Sequence, residues 1–348
     1  MLISFFIFCI VLFLYLHIQF HLKTSNDLEI FEIEQASKDR IEEICDFRQP
    51  VLFDLEEEQY VIAQGTTKNV LLDKYPVFEI KIRDKNDEQT DNMYVPLQLQ
   101  KAATLFQEDK KSTYFSENNS DFLLETGIVK LIQQHDEFLR PMFVSQCMYD
   151  VLFASDNTTT PFRQHLNYRN YYIVTQGSLQ IKLSPPKSSK YLYCENDYDN
   201  FEFISLIDPW SPQSRYEDDF DKIKCLDVTL VPGKCFYIPA YWWYSLKFNN
   251  NTSVTSLSYR TYMNTIAISP QIGMYYLQNQ NIHHKIINKL NLSNNNALNN
   301  TNIKGKAKTK GKSRTKTRVK ELDKEDEAQG KEQVVDKEDE AREVTIGL

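Results

Sequence analysis

Three positions near the middle of the chain could together bind a metal ion. His165 and Asn167 are separated by one residue in the stretch TPFRQHLN, and Tyr244 follows Trp242-Trp243 in the stretch YIPAYWWYS. Imidazole is a common metal ligand, but the amide of Asn167 offers only a neutral carbonyl oxygen. A phenol, with an ordinary pKa of about 10, must lose its proton to coordinate well. The three side chains therefore predict a weakened metal site.

The segments that would position these residues are predicted to be mostly short strands. Between residues 143 and 263, apolar stretches alternate with turn signals such as Pro232-Gly233, a pattern typical of a β-sandwich or barrel. The preceding region is predicted to be α/β, with helices over SKDRIEEICDF, VPLQLQKAATLFQ and SDFLLETGIVKLIQQHDEFL and strands over RQPVLFDL and PVFEIKIRD. The polar and aromatic insertion 187–224 is predicted to be either a lid or a surface elaboration.

Three strings in this region carry a family resemblance. TPFRQHLN, GSLQIKLSPP and VPGKCFYIPAYWW resemble the JmjC and cupin-like family of Fe(II) and 2-oxoglutarate dioxygenases, in particular its asparaginyl hydroxylase branch, over about residues 45–265. The resemblance implies a mainly β (α+β) fold, a double-stranded β-helix barrel with flanking helices. It also implies an H-x-D motif and a distal His that hold Fe(II) on one face, and a basic residue that anchors the cosubstrate.

The family's chemical positions are altered in this chain. His165 keeps the first ligand position, Asn167 replaces the carboxylate, Tyr244 replaces the distal His, and Leu179 occupies the position of the cosubstrate lysine. Lys182 would lie on the opposite face of a regular strand. Loss of a carboxylate, an imidazole and a cation implies a degenerate site without catalytic residues or a bound cofactor. Fe(II) and 2-oxoglutarate remain the expected cofactors only if an unusual metal set surrounds His165.

Other side chains enter the site as alternatives or as its walls. The predicted aromatic pocket consists of Tyr171, Tyr241, Trp242 and Trp243. His135 and the pair His283-His284 could supply a remote ligand, although a lone polar His is more often a surface residue. The chain has no Walker loop, no G-x-G-x-x-G, no G-x-S-x-G and no zinc-ribbon spacing, so these sequence classes are excluded.

The beginning of the chain predicts a membrane anchor. Residues 2–20 contain no charged side chain. A segment of this length is about as long as the helix that crosses a hydrocarbon core. Residues 1–22 are therefore predicted to be a single transmembrane helix, and residues 23–44 a connector. A cleavable signal peptide and a buried core helix are the alternatives. Lys23, on the C-terminal side, favours a cytosolic body.

The end of the chain has a different composition. A cupin-like domain is predicted over residues 45–290, and a low-complexity tail over 291–348 that cannot bury enough apolar surface to fold. The net charge of −8 conceals a basic block, 304–320, and an acidic block, 321–343. The basic block could bind nucleic acid or anionic lipid, or its charge could be neutralised by the acidic block. Its cations are Lys304, Lys306, Lys308, Lys310, Lys312, Arg314, Lys316, Arg318 and Lys320.

These features predict a membrane-anchored cupin-like protein that has lost catalysis and acts as a binding or scaffolding module. Its pocket or its insertion would contact a protein partner that the sequence does not identify. Two alternatives remain. The first is a 2-oxoglutarate-dependent protein hydroxylase with an unusual metal site around His165. The second is tethering of nucleic acid or anionic lipid by the basic tail.

Overall fold

The computed structural model describes residues 2–34, 37–85, 94–198 and 200–280. Within them, helices and strands alternate before the sheet-rich region and helices return after it. The helices are α1 (Leu2–Leu22), α2 (Lys38–Cys45), α3 (Glu57–Gly65), α4 (Lys68–Lys74), α5 (Leu99–Glu108), α6 (Ser120–Glu125), α7 (Ile128–His135), α8 (Glu217–Phe220), α9 (Tyr262–Ala267) and α10 (Ser269–Gln280).

The strands form two sheets. They are β1 (Phe31–Ile33), β2 (Val51–Asp54), β3 (Glu79–Asp84), β4 (Val95–Gln98), β5 (Tyr114–Ser116), β6 (Val144–Ala154), β7 (Arg163–Gln164), β8 (Arg169–Gln176), β9 (Leu179–Ser184), β10 (Cys194–Asp197), β11 (Glu202–Ser205), β12 (Leu226–Leu230), β13 (Lys234–Tyr237), β14 (Trp243–Phe248) and β15 (Ser253–Thr261). The larger sheet has the order β1-β2-β13-β8-β15-β6-β5-β3-β4, and the smaller has the order β10-β11-β7-β14-β9-β12.

Side-chain alternation along the strands builds three layers. On β8, Tyr171 and Ile173 pack against the layer of helices, whereas Tyr172 and Val174 pack between the two sheets. Successive side chains of a strand point to opposite faces, so one strand supplies both cores. The helices therefore cover one face of the larger sheet, and the smaller sheet covers the other.

The cupin-type fold predicted from the sequence is confirmed, with one difference in its closure. Among the described residues, the strands of the two sheets form separate hydrogen-bonded sets, so the molecule is an open sandwich instead of a closed barrel. The larger sheet is widened at its edges by β1, β3, β4 and β5, which come from the α/β region before residue 143. These added strands extend the larger sheet beyond the strands of the smaller one.

Two predicted helices differ from the structure. The stretch VPLQLQKAATLFQ begins as strand β4, in which Pro96 lies opposite Lys81 of β3, and becomes helical only at Leu99. Proline is tolerated there because β4 is an edge strand. The helix predicted over residues 120–139 divides into α6 and α7 at Gly127, whose φ of +75° favours glycine.

The insertion 187–224 is built into the smaller sheet. Its strand β11 pairs with β7 and with β10, and its aromatic residues pack on Trp243 at the outer face of β14. Trp210 donates a hydrogen bond from Nε1 to Ser245 Oγ at 2.8 Å. The structure therefore places this part of the insertion as an added outer layer on the smaller sheet.

Candidate functional site

A cavity of about 500 Å³ opens between the two sheets, beside α6 and α7. Strand β6 and the ends of β7, β8, β14 and β15 supply most of its wall. Its polar and charged lining includes Glu117, Asp150, Arg163, His165, Asn167, Tyr172, Tyr244, Ser256 and Ser258. Three residues singled out in the sequence, His165, Asn167 and Tyr244, are thus brought to one cavity.

His165 directly follows β7, and its ring is held by two tyrosines. The hydroxyl of Tyr244, on β14, hydrogen-bonds to Nε2 of His165. The hydroxyl of Tyr172, on β8, lies 3.3 Å from the same nitrogen and donates to the Tyr244 hydroxyl at 3.0 Å. Nε2, one of the two ring nitrogens that can bind a metal, is therefore already hydrogen-bonded within the protein.

Protonation reinforces this arrangement. Burial, and then the positive charge of Arg163, lowers the pKa of His165 to about 3, so its imidazole is neutral. Burial raises the pKa values of Tyr172 and Tyr244 above their ordinary value, so both phenols keep their protons. A neutral imidazole and two neutral phenols form an uncharged hydrogen-bonded triad.

Asn167 is engaged by a cation. Its side-chain carbonyl oxygen accepts hydrogen bonds from Arg260 Nη2 at 2.9 Å and from Arg260 Nε at 3.3 Å. Arg260 lies on β15, near the end of the strand that leads into α9. The one oxygen that Asn167 could offer to a metal is therefore bound to a guanidinium, whose positive charge opposes a second cation there.

Behind the triad lies a network of buried charges that sequence reasoning missed. Glu117 accepts from Arg163 Nη2 at 2.5 Å and from Arg83 Nη1 at 3.3 Å, and Arg83 also pairs with Glu202 at 3.2 Å. Tyr94 donates to Glu117 at 2.9 Å. Burial by itself would raise the pKa of Glu117, but Arg163 and Arg83 hold it down to about 2. Glu117 therefore stays ionised, and the two arginines compensate its charge. Burial, and then the charge of Glu117, raises the pKa of Glu202.

No local signal in the sequence joins these charges. Glu117 directly follows β5, Arg163 is on β7, and Glu202 belongs to the insertion, on β11. The available signal was the position of Arg163 two residues before His165 in the sequence. In a strand this spacing places both side chains on one face.

The aromatic residues predicted to line the pocket lie outside the lining of this cavity. Tyr171 faces the helix layer, because it alternates with Tyr172 on β8. Trp242 is fully buried and donates from Nε1 to the Arg48 carbonyl oxygen at 3.1 Å. Trp243 faces the insertion and donates to Ser189 Oγ at 2.8 Å, and Tyr241 packs beside Leu166, Phe203 and Ile268. The aromatic residues that line the cavity are Tyr149, Tyr172 and Tyr244.

The remaining candidates lie elsewhere. Leu179, which the resemblance places at the position of the cosubstrate lysine, is fully buried between the sheets, opposite Phe248 and Leu230. Lys182 lies over the Trp210 ring and pairs with Asp227 at 3.4 Å. His135 ends α7. His283-His284 and the tail cations of 304–320 lie outside the described residues, so their predicted roles stay predictions.

Comparison with known families agrees with this geometry. The family model described as cupin-like domain matches residues 56–262, which is more than half of the chain. The matched range includes both sheets apart from β1 and β2, and every residue of the cavity named above. The chain therefore belongs to the cupin-like domain family. No curated protein matches it significantly.

Proposed function

We propose that this protein is a non-catalytic cupin-like binding module that α1 holds at a membrane. The cavity between its two sheets would contact a ligand or partner instead of iron and 2-oxoglutarate. The observation that carries the proposal is the shared hydrogen bonding of Tyr172 and Tyr244 to His165 Nε2. A metal at that nitrogen would have to displace both hydroxyls and leave them to find other partners.

The donors around His165 do not fit an iron centre of the family type. That centre needs two imidazoles and a carboxylate on one face. Here the matching positions carry a neutral phenol and an amide bonded to Arg260. Two carboxylates line the cavity, and both are engaged. Glu117 is paired with Arg163 and Arg83. Asp150 accepts hydrogen bonds from the backbone N–H groups of Asn118 and Asn119, both at 2.7 Å. Among the described residues, no group of three or more His, Cys, Asp or Glu side chains is arranged to hold a metal.

The cosubstrate position supports the same conclusion. Leu179 is fully buried among aliphatic and aromatic side chains, and it offers no charge to a carboxylate of 2-oxoglutarate. The cations nearest the triad are already hydrogen-bonded, Arg163 to the Glu117 carboxylate and Arg260 to the amide oxygen of Asn167. A polar cavity that keeps its shape without a metal suits recognition of a ligand by hydrogen bonds.

The membrane part of the proposal rests on α1. This helix has 21 residues with a mean hydropathy of 2.3 over its most apolar window, enough by length and composition to cross a membrane. Its apolar side chains are mostly exposed, from Leu2 at 86% to Phe20 at 38%. That exposure does not suit the alternative of a buried core helix. A cytosolic position of the body remains part of the proposal, based on Lys23.

The test is metal and cosubstrate binding by the full chain in detergent, measured by anaerobic titration calorimetry with Fe(II) or Mn(II), with and without 2-oxoglutarate. We expect no metal binding by the unsubstituted protein. The double variant Tyr244→His/Asn167→Asp should gain binding, because it restores an imidazole and a carboxylate beside His165.

The matched control is His165→Ala in the same double variant, which should abolish the gained binding. Binding of one equivalent of metal by the unsubstituted protein, lost in its own His165→Ala variant, would contradict the proposal. The family's oxygenase activity would then be the function to assay.

A further inference from the structure

A second cavity lies where α1 meets the body. It has a volume of about 660 Å³ and is mostly apolar. One wall is α1 itself, and the other is the loop before β6 together with the start of α9. The apolar side chains that line it are Phe13, Leu16, Phe20, Pro141, Met142, Phe143, Tyr262 and Met263. We call this the α1 groove.

The last turn of α1 is fixed to the body. His21 is buried, and its Nε2 lies 3.1 Å from the Thr261 hydroxyl at the end of β15. The guanidinium of Arg48 lies 5.2 Å from the Phe20 ring centre and 4.6 Å from the Tyr168 ring centre. The helix therefore leaves the body at a defined place, directly beside the groove.

The outer rim of the groove exposes large apolar side chains. Phe143 is 78% exposed, Met142 67% and Tyr262 62%. The backbone N–H of Tyr262 donates to the Phe143 carbonyl oxygen at 3.1 Å, so the two form one continuous rim. A group of exposed apolar side chains next to one another indicates a contact surface.

The inner end of the groove is acidic. Asp46 accepts from Arg169 Nη2 at 2.5 Å and from the Tyr168 hydroxyl at 2.9 Å. Glu42 adds a further carboxylate to the lining. A phosphate would meet acidic groups here and no uncompensated positive charge in the lining, so the groove suits an apolar occupant.

We infer that acyl chains of membrane lipid occupy the α1 groove, and that the rim of Met142, Phe143 and Tyr262 seats the domain on the bilayer. The inference rests on α1 being a membrane anchor, as proposed above. It is based on the continuity of the groove with the lipid-facing surface of α1. The groove wall formed by Phe13 and Leu16 belongs to the helix surface that would lie in lipid. Tyr262, which is 62% exposed, supplies an aromatic ring with a polar tip, typical of a membrane interface.

The seating also orients the functional site. Tyr262 follows β15. On that strand, Arg260 donates to Asn167, and Ser258 lines the site cavity. Along the chain, the cavity lining on β15 is therefore only a few residues away from the membrane-contacting rim. We expect its ligand to be met near the bilayer surface.

The experiment places the full chain in phosphatidylcholine nanodiscs with acyl chains that are brominated or not, and measures tryptophan quenching. Phe143→Trp tests the rim. Val77→Trp is the matched control, since Val77 is 66% exposed and lines a different cavity. The signal of the unsubstituted protein, from Trp210, Trp242 and Trp243, is subtracted.

We expect bromine to quench the added fluorescence at least about twofold more in Phe143→Trp than in Val77→Trp, because contact quenching requires proximity to the acyl chains. Equal quenching in the two variants, with the chain retained in membranes through alkaline carbonate extraction, would overturn the seating and leave the anchor intact. Release of the chain by that extraction would overturn both.

Discussion

The two ends of the space between the sheets are built from the same strands and differ sharply in chemistry. On β14, the inward side chains run from Tyr244 through Leu246 to Phe248, a distance of about 13 Å along the strand. At the Phe248 end they meet Leu179 and Ile181 of β9. At the Tyr244 end they meet His165 and the charged groups behind it.

The difference shows where the fold tolerates polar groups. The apolar end is closed by aliphatic and aromatic packing, whereas the polar end buries a network of paired charges, Glu117 with two arginines and Arg83 with two carboxylates. Buried charges are costly unless paired and hydrogen-bonded. The stability of the polar end therefore depends on all the groups of the charge network being present together. The stability of the apolar end depends on the volume of each packed side chain.

The largest effect is expected at the polar end, from Glu117→Ala. Removal of this carboxylate leaves Arg163 without its acidic partner and takes away one of the two carboxylates that Arg83 contacts. An uncompensated buried charge of this kind costs about 3–5 kcal/mol of unfolding free energy. Thermal or denaturant unfolding of the detergent-solubilised chain measures it.

The control for Glu117→Ala is Asp121→Ala, which removes an exposed partner of Lys81 at 2.7 Å. That change should cost at most about 1 kcal/mol. Equal losses in the two variants would mean that the buried network contributes no more than a surface pair.

A smaller effect is expected at the apolar end, from Leu246→Ala. Leu246 is fully buried between the sheets, so the change removes packing and leaves a cavity. We expect a loss of about 3 kcal/mol in unfolding free energy. Leu277→Ala, at a side chain that is 65% exposed on α10, should stay within about 0.5 kcal/mol. A loss below about 1 kcal/mol for Leu246→Ala would indicate that this end is loosely packed.

The smallest effect is expected from Tyr244→Phe. The ring and its packing remain, but the hydroxyl shared with His165 and Tyr172 is removed. His165 can still bond to Tyr172 at 3.3 Å, so we expect a loss of about 1 kcal/mol. Tyr276→Phe, at an exposed tyrosine of α10, is the matched control and should be neutral. An increase in stability on Tyr244→Phe would show that the triad is strained and that its hydrogen bonds do not stabilise the fold.

Much of the fold could be predicted from the sequence, because strands and turns carry local signals. Between residues 143 and 263, short apolar stretches alternate with turns such as Pro232-Gly233, and this pattern indicated the sandwich. Asn167 and Tyr244 were visible as departures from the pattern of the family that the sequence resembles. The start of β4 was misassigned, since its residues carry helical spacing and become a strand only by pairing with β3. Tertiary pairing overrode the local preference.

The candidate site was less predictable. The aromatic pair Trp242-Trp243 was expected at the cavity, yet alternation directs Trp243 to the insertion, and Trp242 packs away from the cavity toward Arg48. Tyr172 was missed in favour of its neighbour Tyr171, because the face of β8 that each occupies is fixed only by register with β13 and β15. A shift of one residue exchanges the two faces.

The sequence by itself determined the side chains that are available: an imidazole at His165, an amide at Asn167, a phenol at Tyr244, and an apolar stretch long enough by length and composition to span a membrane. The tertiary structure decided which groups meet. It brought Glu117, Arg163 and Glu202 into one buried network and joined the last turn of α1 to Thr261. The physical reason is that residue type is a local property, whereas pairing across tens to hundreds of residues depends on how the sheets and helices pack.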